Sequence, residues 1–314
     1  MAYRIKRREH VGKGLRRIVH QQIRKAERAA RDRGRPQEER VHEMRTRLKR
    51  SRAALALIRG QGGAAGRAVK RDDRRLRDVA RILSRPRDLA VQAHTFRLLG
   101  TRLQSALPPR LLAGLSAAER QLRRALRPED VERDLRRAAR RLRRVRRRLG
   151  DWKAPHGRQA ISAGVVRTYR KARAALEAVR AERSPESFHD WRKQVKAFSN
   201  ELRIIRDAVP ELTTTLIPKV EQLGELLGSV HDLHCAKATA ELHPRWFGRQ
   251  SDSQAVLAAV DERRAALEAE ALSLAESVFA GRPRDVRALV KIGWRVWRRG
   301  DPEALADLPA ALLH

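Results

Sequence analysis

An internal repeat limits what this chain can fold into more than any other feature. Shifted by 147 residues, Phe188-His189-Asp190-Trp191-Arg192 falls on Val41-His42-Glu43-Met44-Arg45, with Val195 on Leu48, Lys196 on Lys49, Leu202 on Leu55 and Ile205 on Ile58. A shift of 144 sets Leu226-Leu227-Gly228-Ser229-Val230-His231-Asp232-Leu233 on Ile82-Leu83-Ser84-Arg85-Pro86-Arg87-Asp88-Leu89. A weaker match at 150 pairs Gly164 with Gly14 and Arg167 with Arg17. Similar shifts in one order predict two copies of a single unit. Strand signals are nearly absent, and Ala, Leu, Arg and Glu dominate between Gly and Pro punctuation. The expected fold is all-α: two pseudo-two-fold-related helical bundles, 10–149 and 158–300, within a single domain over 1–314.

The punctuation predicts helices at about 10–33, 37–59, 65–84, 87–105, 115–127 and 129–148, then about 158–182, 185–208, 212–229, 231–242, 252–280 and 283–299. The segment Gly150 to Gly157, containing Pro155, divides the chain, and Pro302 to His314 reads as a loosely docked end. On the second of these helices Val41, Met44, Leu48, Leu55 and Ile58 fall on one face. His42, Arg45, Lys49 and Arg52 form a second row beside that stripe, a cationic edge about 15 Å long. A solvated face puts its cations opposite the core and mixes them with carboxylates. A row at the margin of the core is walled in by neighbouring helices, which makes a groove for a long polyanion.

Charge points the same way. The 314 residues hold 72 Lys and Arg against 37 Asp and Glu, a formal +35, and self-repulsion on that scale calls for an acidic partner. Arginine suits bidentate phosphate contacts, but a GC-rich genome gives the same bias, so composition leaves the two open. A single cysteine, Cys235, excludes an intrachain disulfide and fits a reducing compartment. With no signal-peptide core at the start and no apolar run of spanning length, a cytoplasmic protein with no membrane partner is expected.

The His-x-x-Arg-x-x-x-Lys-x-x-Arg row, repeated once and followed each time by Leu-(Gly/Ser)-x-x-(Arg/His)-Asp-Leu, resembles the CHAD domain, the conserved-histidine α-helical domain. The resemblance covers residues 10–300 and implies two helical bundles with a basic surface or central cavity that binds inorganic polyphosphate. The ligands it implies are His42, Arg45, Lys49 and Arg52, then His189, Arg192 and Lys196, with Arg17 and Arg167 added from the first helix of each half. Ser199 stands where the first row has Arg52, leaving the second row one cation short, with Lys193 or Arg203 to compensate. On that count substitutions at Arg45 or Lys49 are expected to weaken binding more than those at Arg192 or Lys196. The chain starts directly at the helical unit, without the triphosphate-tunnel catalytic domain some relatives carry. The expectation is therefore binding without catalysis, with no cofactor and with polyphosphate or storage granules as a context.

The alternatives have their own residues. A nonspecific nucleic-acid-binding protein is supported equally by the +35 but leaves two histidine-centred rows unexplained. A metal-dependent polyphosphatase or phosphohydrolase would use His231-Asp232-Leu233-His234-Cys235, yet further ligands are missing and the cations beside His189 repel a metal. No glycine-rich phosphate loop or nucleophile elbow appears. Asp88 and Asp232 read as helix-opening acids without a binding role. The segment Arg120–Arg148 keeps a helical stripe and extends the anion surface, meets nucleic acid, or is an over-charged surface. Trp294 and Trp297 read as packing on the last helix. Histidines near their ordinary pKa of about 6.5 predict tighter anion binding at mildly acidic pH.

Overall fold

The computed structural model describes residues 3–60, 62–105, 107–150, 152 and 157–299. The expected loose end at Pro302–His314, and Pro155 in the mid-chain break, lie outside them. Among the described residues the chain is all-α, without strands. The first part comprises α1 (Val11–Ala29), α2 (Gln37–Leu57), α3 (Gly63–Ile82), α4 (Ser84–Arg102), α5 (Pro109–Ala125) and α6 (Pro128–Arg147). The second comprises α7 (Gly157–Ala181), α8 (Pro185–Ile205), α9 (Pro210–Leu242), α10 (Gln250–Val278) and α11 (Pro283–Arg299), with short 3-10 turns on either side of α9.

Local chemistry sets the starts. In α8 the Ser184 hydroxyl accepts from the Ser187 amide at 3.2 Å, Pro185 supplies a pre-set φ, and Glu186 complements the helix dipole. In α6 Pro128 plays the same part, with Glu129 and Asp130 in the first turn and Arg144, Arg146 and Arg147 in the last. Two boundaries differ from expectation for the same reason. Pro109 opens α5 six residues early, and Pro86 lies inside the first turn of α4, where no backbone donor is needed.

The larger difference is α9. Two helices are expected at about 212–229 and 231–242, but Pro210–Leu242 is one helix of 33 residues, and Pro218 lies within it. Val230 is fully buried and holds the helix to its neighbours, while Gly224 and Gly228 serve packing. A Cβ on Gly224 would sit 3.0 Å from Lys196 Cε, and one on Gly228 would sit 3.7 Å from Arg192 Nε. Gly224 lets the Lys196 stem lie close against the α9 backbone, whereas at Gly228 the Arg192 guanidinium passes at ordinary van der Waals distance.

The expected stripe on α2 is the core: Val41, Met44, Leu48, Leu55 and Ile58 are all buried. Its counterparts on α8, Phe188, Trp191, Val195, Leu202 and Ile205, are buried too, and one apolar cluster runs through both parts of the chain. Helix α2 packs on α8, and α4 packs on α9, so the helices bearing the repeated motifs face one another. Trp294 is buried on α11 as the packing reading expected, with Trp297 beside it at 5.3 Å between ring centroids.

Helix α7 comes closest to α2 at Gly164, where a Cβ would lie 2.2 Å from the Leu57 carbonyl oxygen and 2.7 Å from its Cα. Backbone cannot yield as a side chain does. Gly164→Ala is expected to cost roughly 3 kcal/mol or more, read as a lower urea midpoint. Gly14→Ala, which meets only the flexible Glu9 side chain, should cost clearly less; equal losses would refute the close approach as the cause.

Candidate functional site

The four facing helices enclose a cavity of about 600 Å3. Helix α2 lines it with His42, Arg45, Lys49 and Arg50, and α8 with His189, Arg192, Lys196, Ser199, Asn200 and Arg203. Helix α4 adds Arg87 and Asp88, and α9 adds Glu221, Glu225, His231, Asp232 and Cys235. Both histidine-centred rows therefore line one shared space, because each lies at the edge of a buried stripe and the stripes pack together.

Most of its cations are left without a carboxylate. Among the described residues, no ion pair forms at Arg45, Lys49, Arg87, Arg192 or Lys196, whereas Arg203 Nε donates to Glu221 Oε1 at 2.5 Å. Arg45 Nη1 is held by neutral acceptors, the Ala80 carbonyl and Ser84 Oγ, both at 3.1 Å. Arg192 Nε is buried with no hydrogen-bond partner among the described residues. A buried donor left unmade costs on the order of 1–3 kcal/mol, so it is poised for an acceptor brought from outside.

The pKa values show the crowding. Burial, followed by Arg192, Arg45, Arg87 and Lys196, holds the Lys49 ammonium down at about 8. Lys196 is lowered by burial and by Arg192. Burial also lowers His42, with Arg87 and Lys49 adding to it, and His189, with Lys193 and Arg192 adding to it. His231 drops to about 4 through burial, Arg192 and His189. Its Nδ1 lies 3.3 Å from His189 Nδ1, a contact that requires at least one neutral ring. Burial raises Asp88 and Asp232 although cations surround both.

The structure gathers seven of the sequence-derived residues at the cavity: His42, Arg45, Lys49, His189, Arg192, Lys196 and Arg203. The other four lie elsewhere. Arg17 forms a fork on Glu9, with both contacts at 2.7 Å, and also donates to the Arg4 carbonyl, pinning the N-terminal segment. Arg52 pairs with Asp73 of α3 at 2.8 Å, Arg167 donates to the Ala56 carbonyl, and Lys193 pairs with Asp190 at 2.8 Å on the surface. Since Arg52 is turned to α3 while Ser199 lines the cavity, the second row lacks no cation there, and the expected inequality of the rows loses its basis.

Sequence reasoning missed Arg50, Arg87 and His231, and it gave Asp88 and Asp232 no role beyond opening helices. Asp232 lies deep inside α9 and opens nothing, and both acids line the cavity. The signal was present, because the repeat sets Arg87-Asp88 on His231-Asp232, and both pairs reach the same space. His231 and His234 do not converge as a metal pair would. His231 faces His189, while His234 Nε2 lies 3.5 Å from Glu268 on the α10 side. Among the described residues no group of three or more His, Cys, Asp or Glu is placed to hold a metal, and no helix is long and apolar enough to cross a membrane.

A structure comparison finds the crystal structure of the CHAD domain from the plant Ricinus communis, with a TM-score of 0.55 at 15% identity, covering 90% of this chain and 98% of that one. At that identity the likeness is one of fold. No curated protein sequence matches the chain. The CHAD domain family model matches residues 17–241, a span that contains every residue lining the cavity. This chain belongs to the CHAD domain family.

Proposed function

We propose that the cavity binds inorganic polyphosphate and performs no chemistry on it. The observation that carries this is the set of five cations, Arg45, Lys49, Arg87, Arg192 and Lys196, facing one space from three helices without a carboxylate partner. A linear polyanion supplies the missing charge at every phosphate. Its chain is thin enough to thread a space of about 600 Å3, which a duplex about 20 Å across cannot enter. Arg45 and Arg192 give forked contacts to non-bridging oxygens, and Lys49 and Lys196 act as point charges between them. Asp88 and Asp232 lie among these cations and moderate their mutual repulsion while the site is empty. On this reading the cations hold the anion without acting on it, so phosphate release with added divalent metal is expected to stay at background; metal-stimulated release would overturn the non-catalytic reading.

Affinity should rise with chain length and fall with salt as contacts accumulate. Long-chain polyphosphate is expected to outcompete orthophosphate and triphosphate in an anisotropy assay, and equal potency would refute the proposal. Lys49→Ala and Arg192→Ala should each weaken binding tenfold or more, since a charged hydrogen bond contributes on the order of 1.5–3 kcal/mol. Lys193→Ala, at a surface pair outside the cavity, should change it less than about twofold.

The pH profile follows from the shifted groups. The free protein loses the Lys49 proton near pH 8, and a bound polyanion draws it back toward the ordinary lysine value. Above pH 8 binding must recover that proton, so affinity is expected to fall by up to about tenfold per pH unit. Lys49→Arg should move the fall to higher pH; an unchanged profile would exclude Lys49 as its source. His42, His189 and His231 lie below the ordinary histidine value in the free protein. Affinity should therefore keep rising as pH falls past 6.5, where unperturbed histidines would be approaching saturation.

A further inference from the structure

The cavity does not account for the charge of the chain. Residues 1–150 hold 46 Lys and Arg against 15 Asp and Glu, a net +31, while residues 151–314 hold 26 against 22, a net +4. A genome-wide bias toward arginine would act on both parts alike. The cavity draws on them almost evenly, with Arg45, Lys49, Arg50 and Arg87 from the first and Arg192, Lys196 and Arg203 from the second. The excess lies elsewhere.

Much of it is on α6 and α3. From Leu135 to Gly150 there are nine arginines and no acid. The buried stripe Val131, Leu135, Ala138, Leu142 and Val145 fixes the inner face of α6, which leaves Arg137, Arg140, Arg141, Arg143, Arg144 and Arg147 exposed. Among the described residues none of these six forms an ion pair; on α6 only Arg133, Arg136 and Arg146 do, with Asp130, Glu132 and Glu27. Neighbouring α3 packs against α6, and Arg75 Nη1 donates to the Arg148 carbonyl at 3.1 Å. It exposes Arg71, Arg74 and Arg77, likewise without ion pairs among the described residues. In the second part exposed cations are interspersed with acids, and some are paired: Lys237 lies 2.6 Å from Asp261, and Arg264 2.7 Å from Glu268.

We infer that the outer face of α3 and α6 is a second polyanion site, distinct from the cavity, that takes the phosphate backbone of double-stranded nucleic acid. From Arg133 to Arg148 the row is about 22 Å long, with a cation at nearly every turn of the outer face. Duplex phosphates recur every 3.4 Å along each strand, so this length meets about six base pairs. The face is open, which admits a wide polyanion, whereas a thin chain gains most where helices wall it in. Its exposed side chains are almost all arginine, without the Asn or Gln that reads base edges, so the contact is independent of sequence. It also exposes no large apolar side chain to insert into a lipid surface. With the cavity as proposed above, one chain would join polyphosphate to nucleic acid, but the duplex site stands on its own residues.

The test is anisotropy with a labelled duplex of about 20 base pairs at salt from roughly 50 to 200 mM, on the full chain, with helicity and thermal midpoint checked for each variant. The outer-face variant is Arg137→Gln/Arg140→Gln/Arg141→Gln/Arg144→Gln, and the cavity variant is Lys49→Ala/Arg192→Ala. The outer-face variant is expected to lose tenfold or more in duplex affinity and about three to four units of salt slope, while keeping short-chain polyphosphate binding within twofold. The cavity variant should do the reverse, and duplex and short polyphosphate should bind together. No duplex binding by the native chain, binding only to anionic vesicles, duplex loss in the cavity variant alone, or displacement of duplex by short polyphosphate would each overturn the proposal. If polyphosphate fails to bind at all while duplex affinity follows the α6 arginines, the cavity reading falls and this one stands.

Discussion

Repulsion among the cavity cations is the constraint the rest of the structure has to meet. Arg45, Lys49, Arg87, Arg192 and Lys196 would separate if their helices were free to move, and the downward shift of Lys49, caused first by burial and then by its cationic neighbours, shows both what confines them and what opposes it. What holds them is apolar. Leu48, Leu55, Trp191, Val195 and Leu202 lie under the two rows and are withdrawn from water almost completely. Burying one such side chain contributes on the order of 1.5–3 kcal/mol, and several per helix outweigh a repulsion that solvent in the cavity partly screens.

Acids are distributed by the same logic. Several cations that serve the fold have a carboxylate: Arg17 has Glu9, Arg52 and Arg59 share Asp73, and Arg40 reaches Glu132. At the cavity the nearest acids, Asp88 and Asp232, stop short of ion-pair distance of the central cations. Where an arginine lies and what holds it, more than its place in a motif, decides whether it is left for a ligand.

That distinction explains which parts were legible in the sequence. The helical class and the buried stripe of α2 follow from periodicity and repetition, which depend on local spacing; that the two rows meet in one space does not. Arg52 continues the His42–Arg45–Lys49 spacing without a fault, yet it lies one turn further along, where α3 is the neighbour and Asp73 is waiting. Arg17 and Arg167 fail in the same way, through Glu9 and through the Ala56 carbonyl. Spacing shows which residues share a face; which helix covers that face is a tertiary fact. The expected interruption between 229 and 231 fails for a related reason: Val230 is buried among neighbouring helices, which local spacing does not show.

The bare backbone at Gly224 also bears on conformational entropy. A lysine on an open surface gives up most of its rotamer freedom when it grips a ligand, at a cost of about 1–2 kcal/mol. With the stem of Lys196 already laid against that backbone, part of the freedom is gone before any anion arrives. The loss falls on folding, where the core absorbs it, and the contact made on binding keeps more of its strength. One missing side chain on α9 thereby makes a flexible cation on α8 act as a stiffer one.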